Sequence, residues 1–309
     1  MKVITWNVRG INAPNKQRIL KHYLPSLEGD IMLIQKTKLD EEGYKSLKKK
    51  VGIWEVVGVP SSGASGGLGV LWDPRWVLFS KMGSSSNWIC GKVQSLKSKL
   101  TFIIINIYGP KFLHEKREVW AEIDRLAQDF SGEHIFLGGD FNAVLNMSDK
   151  QGGSTKETQT IREFREWLQN NHYMEIQTTN GEYTWSNRRS GATFIAEKLD
   201  RFFFKGNLAN FDFDICSSIL SAIGSDHLPV QLTLVEHRQP SRYPFRFKKM
   251  WLKDENLLQL IEKWWGERSF KGSKAYIFIS KLKYVKKKLM EWNRDSFGDI
   301  FEKKRSLEQ

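Results

Sequence analysis

Residues 2–8 (Lys-Val-Ile-Thr-Trp-Asn-Val) and 30–35 (Asp-Ile-Met-Leu-Ile-Gln) are short apolar runs of strand length, rich in β-branched residues. Between them Ile19, Leu20, Tyr23 and Leu24 fall on one face of a helix expected over 17–27, which gives a strand–helix–strand unit. Further strands are expected at 70–72, 88–93 and 100–108. A helix is expected from about 115 to 130, because Val119, Trp120, Ile123, Leu126 and Ala127 keep the helical period. The run 134–138 reads as a strand, and 157–170 as a helix with Ile161, Phe164, Trp167 and Leu168 inward. Strands return at 183–185, 199–204, 212–217 and 229–234. The glycine-rich stretch 61–69 contains no GxxxxGK[ST] loop and reads as a mobile turn. This mixture predicts an α/β fold, a two-sheet α/β sandwich with flanking helices, although the pattern leaves strand order open.

The character of the chain changes near Arg238. Pro240, Ser241 and Pro244 mark a boundary, beyond which Lys281–Trp292 places Leu282, Val285, Leu289 and Trp292 on one helical stripe. The expected division is a domain over 1–237 and a basic helical extension over 238–309. With 40% hydrophobic residues, 12 Trp and 19 Phe, burial can outweigh chain entropy without covalent staples. The two cysteines, Cys90 and Cys216, have no partner at zinc spacing, so a reducing compartment is the default. No apolar run approaches the roughly 20 residues of a membrane span and no secretory leader is visible, which predicts an intracellular protein, nuclear or cytoplasmic, with no membrane partner. Nothing calls for an obligate oligomer. Of the net charge of +13, residues 238–309 supply +10, from 19 Lys and Arg against 9 Asp and Glu. Such a surface suits a polyanion, DNA or RNA.

Four short motifs at strand ends carry the candidate chemistry: Thr5-Trp6-Asn7-Val8-Arg9-Gly10, Gly138-Gly139-Asp140-Phe141-Asn142, Lys198-Leu199-Asp200-Arg201 and Ser225-Asp226-His227-Leu228-Pro229. Cleaving a phosphodiester requires an in-line nucleophile, neutralisation of the non-bridging oxygens and help for the leaving oxygen. Asp140 can orient or deprotonate a water, and Asn142 can hold that water or a phosphate oxygen. A protonated His227 can donate to the phosphate, with Asp200 fixing its tautomer. Asn7 and Asp226 offer the hard oxygens that Mg2+ or Mn2+ prefers. Each residue alone has an ordinary structural reading, as a turn, a cap or a buried histidine. The order of the whole set is what points to a site.

The set resembles the endonuclease/exonuclease/phosphatase family of metal-dependent phosphodiesterases over roughly residues 1–237. The resemblance implies that Asn7 and Asp226 lie at a metal site, that Tyr108 in the Tyr-Gly-Pro turn contacts the scissile phosphate, that Asp140 and Asn142 handle the nucleophile, and that Asp200 pairs with His227. More narrowly, Asn-Val-Arg-Gly followed by Asn12-Ala13-Pro14-Asn15-Lys16, with Gly-Gly-Asp-Phe-Asn and Lys-Leu-Asp-Arg, looks like the endonuclease domain of plant LINE-type non-LTR retrotransposons. Pro244-Phe245-Arg246-Phe247, Met250-Trp251-Leu252 and Glu291-Trp292-Asn293 resemble the segment that leads to reverse transcriptase. That enzyme is absent, so a truncated element or a derived host gene is expected. Phosphoinositide phosphatases of this kind tend to carry Trp-Cys-Asp-Arg where this chain has Lys198-Leu199-Asp200-Arg201, which makes a small-ester phosphatase the weaker reading.

Nucleic-acid contacts are expected from Arg9, Arg188 and Arg189, since a guanidinium can grip two phosphate oxygens. Trp185 could wedge against an unstacked nucleotide or could belong to the sandwich core. One position departs from the family. Where its members carry the metal-binding glutamate of Gln-Glu-Thr, this chain has Gln35-Lys36-Thr37, and an ammonium offers donors only. Asp140 and Asp226 are expected to push Lys36 upward in pKa and keep it charged in place of the ion. The expectations are thus a Mg2+-dependent DNA-nicking endonuclease impaired at Lys36, or a catalytically silent nucleic-acid-binding relic.

Overall fold

The computed structural model describes residues 1–24, 28–62, 66–154, 156–207, 211–221, 224–236, 247, 251–252, 254, 256–270 and 274–297. The chain divides into two compact units, Met1–His237 and Arg238–Gln309. In the first, the elements are β1 (Lys2–Asn7), α1 (Pro14–Tyr23), β2 (Ile31–Gln35), α2 (Glu41–Lys50), β3 (Glu55–Val59), β4 (Leu68–Trp72), β5 (Val77–Ser84), β6 (Trp88–Ser95), β7 (Thr101–Tyr108), α3 (Leu113–Asp129) and β8 (Ile135–Asp140). They continue with β9 (Lys150–Gln151), α4 (Gln159–Asn170), β10 (Met174–Glu175), β11 (Trp185–Ser186), β12 (Ala196–Glu197), β13 (Asp200–Lys205), β14 (Phe213–Ile219) and β15 (Val230–Glu236).

Two mixed six-stranded sheets run in the orders β14-β15-β1-β2-β4-β3 and β10-β13-β8-β7-β6-β5, with a small third sheet β11-β12-β9. The parallel pairs β1/β2 and β7/β8 each require a crossover, which α1 and α3 supply. Alternation along each strand sorts the apolar side chains into three layers of contact. Val3, Leu33, Val70, Phe102, Ile104, Phe136, Phe202, Phe204 and Leu232 pack between the sheets. Ile4, Met32 and Ile34 face the other way, onto Leu20, Tyr44 and Leu47 of α1 and α2. Ile103, Ile105, Leu137 and Phe203 meet Val119, Trp120 and Ile123 of α3 and Phe164 and Trp167 of α4. The result is a helix–sheet–sheet–helix sandwich, with strands buried on both faces as near-continuous apolar runs.

Several boundaries differ from the sequence expectation. The first helix begins at Pro14, where proline suits a first helical turn, and residues 25–27 of the expected span lie outside the described residues. The expected strand 183–185 reduces to Trp185–Ser186. The part of 61–69 that is described is pinned rather than loose, since Thr37 and Lys38 donate their N–H groups to the carbonyls of Gly67 and Gly66.

In the second unit, α5 (Leu257–Glu267) and α6 (Lys274–Phe297) share a small core of Trp251, Leu257, Trp264, Val285 and Leu289. Leu282, expected on the buried stripe, is 47% exposed. The expected boundary residues Pro240, Ser241 and Pro244 lie outside the described residues.

Candidate active site

The inward-facing positions of the central strands turn from apolar to polar at one end of the sandwich. On β1 the series is Val3, Thr5, Asn7; on β2 it is Ile31, Leu33, Gln35; on β8 it is Phe136, Gly138, Asp140. Register aligns these ends. Asn7 pairs with Gln35 in one sheet, while Asp200, Asp140 and Tyr108 stand side by side in the other. Gln35 bridges the sheets by donating to Thr5 Oγ1 at 2.8 Å and Asn106 Oδ1 at 2.7 Å, and Asn106 Nδ2 donates to the Gly69 carbonyl at 2.9 Å.

Next to this floor lies a buried row of ionisable groups. Asn7 Nδ2 donates to Asp140 Oδ2 at 2.7 Å and lies 3.3 Å from His227 Nε2. His227 Nδ1 is 2.9 Å from Asp200 Oδ2, so the expected pair forms directly. Burial works against charge on His227, but Asp200, Asp140 and Asp226 outweigh it and raise the imidazole to about 9. It therefore holds a proton at neutral pH. Burial also disfavours ionisation of Asp200, which His227 and a 2.7 Å bond from Thr184 Oγ1 oppose. Thr184 accepts in turn from the N–H groups of Leu199 and Asp200, and Ser225 Oγ accepts from His227 N–H while donating to the Asn7 carbonyl. Sequence reasoning assigned no role to Thr184 or Ser225, although Ser225 opens one of the four motifs and Thr184 stands in an expected strand beside Trp185.

Asp140 Oδ1 accepts the N–H of Asn142 at 2.9 Å, closing a tight turn, and Asn142 Nδ2 donates to the Gly109 carbonyl at 2.6 Å. Tyr108 is half-buried, and burial together with Asp140 pushes its hydroxyl upward in pKa. Asp140, Asn142, Asp200, His227, Tyr108 and Asn7 thus come together at one end of the sandwich.

The opposite wall is cationic. Arg9 closes on Asp226 with two bonds, Nε to Oδ1 at 2.6 Å and a terminal nitrogen to Oδ2, while Trp185 Nε1 donates to the same carboxylate at 2.8 Å. Burial alone would raise Asp226, but these donors overturn it and hold the group down at about 2. Trp185 is half-buried and forms an isolated bridge with His227, so it serves both as wall and as packing. Arg188 donates to the Ser225 carbonyl; Arg189 is exposed, and among the described residues only its backbone N–H is engaged, by Asn187 Oδ1. Lys36 is half-buried just beyond β2; its carbonyl accepts the Gly10 N–H at 2.7 Å, while its ammonium has no hydrogen bond or ion pair among the described residues. Its pKa is lowered, not raised as expected. Burial and the nearby Arg9 guanidinium prevail over the attraction of Asp140 and Asp226. Arg9, Lys36, Lys38, Asn142 and Arg188 all adopt positive φ, so backbone strain concentrates around this cleft.

Asp140, Asp200 and His227 each bring a potential ligand atom within 4.8 Å of one another. A protonated imidazole has no lone pair to give, and this trio accounts for itself as a proton-holding row. The expected metal residues fare no better. Both oxygens of Asp226 are taken by Arg9 and Trp185, Asn7 Oδ1 accepts the Arg9 N–H at 3.0 Å, and position 36 presents an ammonium. In this arrangement Asn7, Lys36 and Asp226 do not fit a divalent cation.

Two facing mixed sheets flanked by helices, with the His–Asp pair and the Asn–Asp pair at one end, define a DNase I-like phosphoesterase fold. Residues 4–227 match the endonuclease/exonuclease/phosphatase family, and the chain belongs to it. Members of that family generally depend on divalent metal. An exodeoxyribonuclease of Bacillus subtilis is 22% identical over 253 residues, covering 76% of this chain and 99% of that protein. Among solved structures, the endonuclease domain of TRAS1, a telomere-specific non-LTR retrotransposon, superimposes with a TM-score of 0.59 at 12% identity, covering 77% of this chain and 99% of its own. A 3′ phosphatase from Neisseria bound to product DNA hairpin gives 0.58 at 18% identity, covering 76% and 99%.

Proposed function

We propose that this domain is a DNA-nicking endonuclease module of retrotransposon origin that keeps its phosphodiester-recognition and proton-handling groups but is impaired where Lys36 stands. One observation carries the reading: the Asn7–Asp140 and His227–Asp200 pairs are closed in the same cleft whose other wall holds Arg9 and Lys36. A phosphodiester lying across the row meets the protonated face of His227, the Tyr108 hydroxyl and the Asn142 amide, while Asp140 orients an attacking water and accepts its proton. Arg9 and Lys36 offer positive charge to the non-bridging oxygens but cannot bind and acidify a water. Mg2+ or Mn2+ binding is correspondingly weakened, and recognition outlasts cleavage.

The basic chain, with Trp185, Arg188 and Arg189 beside the cleft, suits a polymer better than a small ester; DNA is the intended partner and RNA a secondary one. The Asn-Val-Arg-Gly and Lys-Leu-Asp-Arg motifs, together with the likeness to the TRAS1 domain, support the retrotransposon origin. Such a module works inside the cell, in nucleus or cytoplasm. A second reading, a silent nucleic-acid-binding relic, is favoured by the closure of Asp226 by Arg9. The two readings part on rate.

The test is nicking of supercoiled plasmid with Mg2+ or Mn2+ by the native chain and by Lys36→Glu. Lys36→Glu should be at least about ten-fold faster, the equivalent of roughly 1.4 kcal/mol of barrier. Asp140→Ala on that background should abolish the gain, and Mg2+ should raise the thermal midpoint of Lys36→Glu but not of the native chain. Equal Mg2+-dependent rates for native and Lys36→Glu overturn the impairment. No nicking by either, with DNA binding intact, establishes the relic.

A further inference from the structure

We propose that Lys116 is a positioning residue, whose ammonium clamps the loop after β7, carrying Tyr108, to the loop after β8, carrying Asp140 and Asn142. The consequence for substrate rests on the reading of the cleft as a phosphodiester site; the clamp itself does not.

Lys116 stands in the first turns of α3, where the helix dipole disfavours a cation, and it is only 2% exposed. Fully buried lysines are rare unless paired. Among the described residues no carboxylate pairs with this one. Its Nζ donates to three backbone carbonyls, Pro110 at 2.6 Å, Phe141 at 3.0 Å and Asn142 at 2.9 Å. An ammonium has three donors and no acceptor, so this set satisfies it completely.

The three acceptors belong to two different loops. Pro110 lies two residues beyond Tyr108, and Phe141 and Asn142 directly follow Asp140. The loops are already in close approach: Gly109 N–H donates to the Asp140 carbonyl at 2.7 Å, and a Cβ at Gly109 would lie 2.2 Å from the Phe141 carbonyl oxygen. The carbonyl dipoles of both loops therefore converge on one point and repel one another unless a cation stands there. Lys116 supplies it from inside the protein and bonds only to backbone carbonyls, so the side chains of Tyr108 and Asn142 are not used by the clamp. Burial lowers the Lys116 ammonium to about 8, against the pull of Asp140 and Glu115, which fits a group held for geometry at some expense.

Lys116→Met keeps most of the stem and removes all three donors. Without DNA, amide exchange in the variant should accelerate selectively at Gly109 and Asn142, whose N–H groups bond to Asp140, while β1 and β15 keep their protection. With a duplex oligonucleotide, affinity should fall about ten-fold, the equivalent of roughly 1.4 kcal/mol. The slope of affinity against salt should not change, because a buried ammonium touches no phosphate. A slope smaller by about one would instead make Lys116 a phosphate contact and overturn the proposal. Uniform acceleration of exchange, or unchanged affinity below the melting range, would reduce it to a general stabiliser and overturn it equally. If the native chain does not bind DNA, the cleft reading fails while the exchange pattern still decides the clamp. Should Lys116→Met not fold, Lys116→Gln, which has no ammonium and is one bond too short to serve all three carbonyls, goes through the same measurements, and normal exchange at Gly109 and Asn142 in that variant overturns the clamp.

Discussion

Arg9 and Asp226, separated by 217 positions in sequence, form a two-pronged ion pair at the mouth of the cleft, with Trp185 as third donor to the same carboxylate. Such a fork matches a carboxylate more closely than a lysine could. It holds Asp226 at about 2, below its ordinary value near 3.8. A depressed carboxylate contributes stability that is present above its unfolded pKa and is lost as pH falls through the folded one. Arg9→Ala should let the Asp226 carboxyl titrate closer to the ordinary value, as followed by carbon NMR, and should remove that part of the acid sensitivity lying between about pH 4 and 2. An Asp226 titration unchanged in Arg9→Ala would show that Trp185 and His227 suffice.

The His227–Asp200 pair has the opposite sign. His227 is raised to about 9 from an ordinary 6.5, so its contribution is complete below the unfolded value and lost as pH rises through the folded one. In Asp200→Asn the burial that opposes the imidazolium is less resisted, and the His227 pKa should drop by more than about one unit, each unit being roughly 1.4 kcal/mol of differential interaction. Proton NMR of the imidazole ring reads this directly. A His227 that still titrates near its native value would assign its proton to Asp140 and Asp226.

Gly139 is required by its surroundings. A Cβ there would lie 1.9 Å from the Ile107 carbonyl oxygen, in the parallel β7/β8 pair that sets Tyr108 beside Asp140. Gly139→Ala should destabilise the domain by about 1–3 kcal/mol, the usual range for forced overpacking, in denaturant unfolding. Unchanged stability would mean the pair can part without loss.

Deleting residues 238–309 removes +10 of the +13 charges. Binding to duplex DNA should weaken, and its salt dependence should flatten, because fewer counterions are released. Equal affinity and equal slope in both chains would confine recognition to residues 1–237.

Much of the frame was legible because strands buried on both faces leave continuous apolar runs and α3 and α4 keep clean periods. The motifs also revealed the His227–Asp200 pair, since each partner stands at the end of such a run. What escaped notice did so for identifiable reasons. In α2 only Tyr44 and Leu47 are buried and lysines fill its last turn, although Asp40 caps its start by accepting from Gly43 N–H. Edge strand β5 exposes Leu78 and Met82, which blurs its alternation. Lys116 reads as a surface charge until two loops are seen to converge on it. The direction of the Lys36 shift could not be foreseen, since it depends first on burial and then on Arg9, brought close by the β1/β2 pairing.

Gln35, directly before Lys36, ties β2 to both Thr5 and Asn106, so the frame beneath position 36 is held by bonds that do not involve that side chain. Lysine and glutamate codons differ only in their first base. On the proposed role of Lys36, one mutational step would then silence the site with little effect on folding, and the same step in reverse would reopen it. Selection on what the protein holds and selection on what it cuts can act on the two capacities separately.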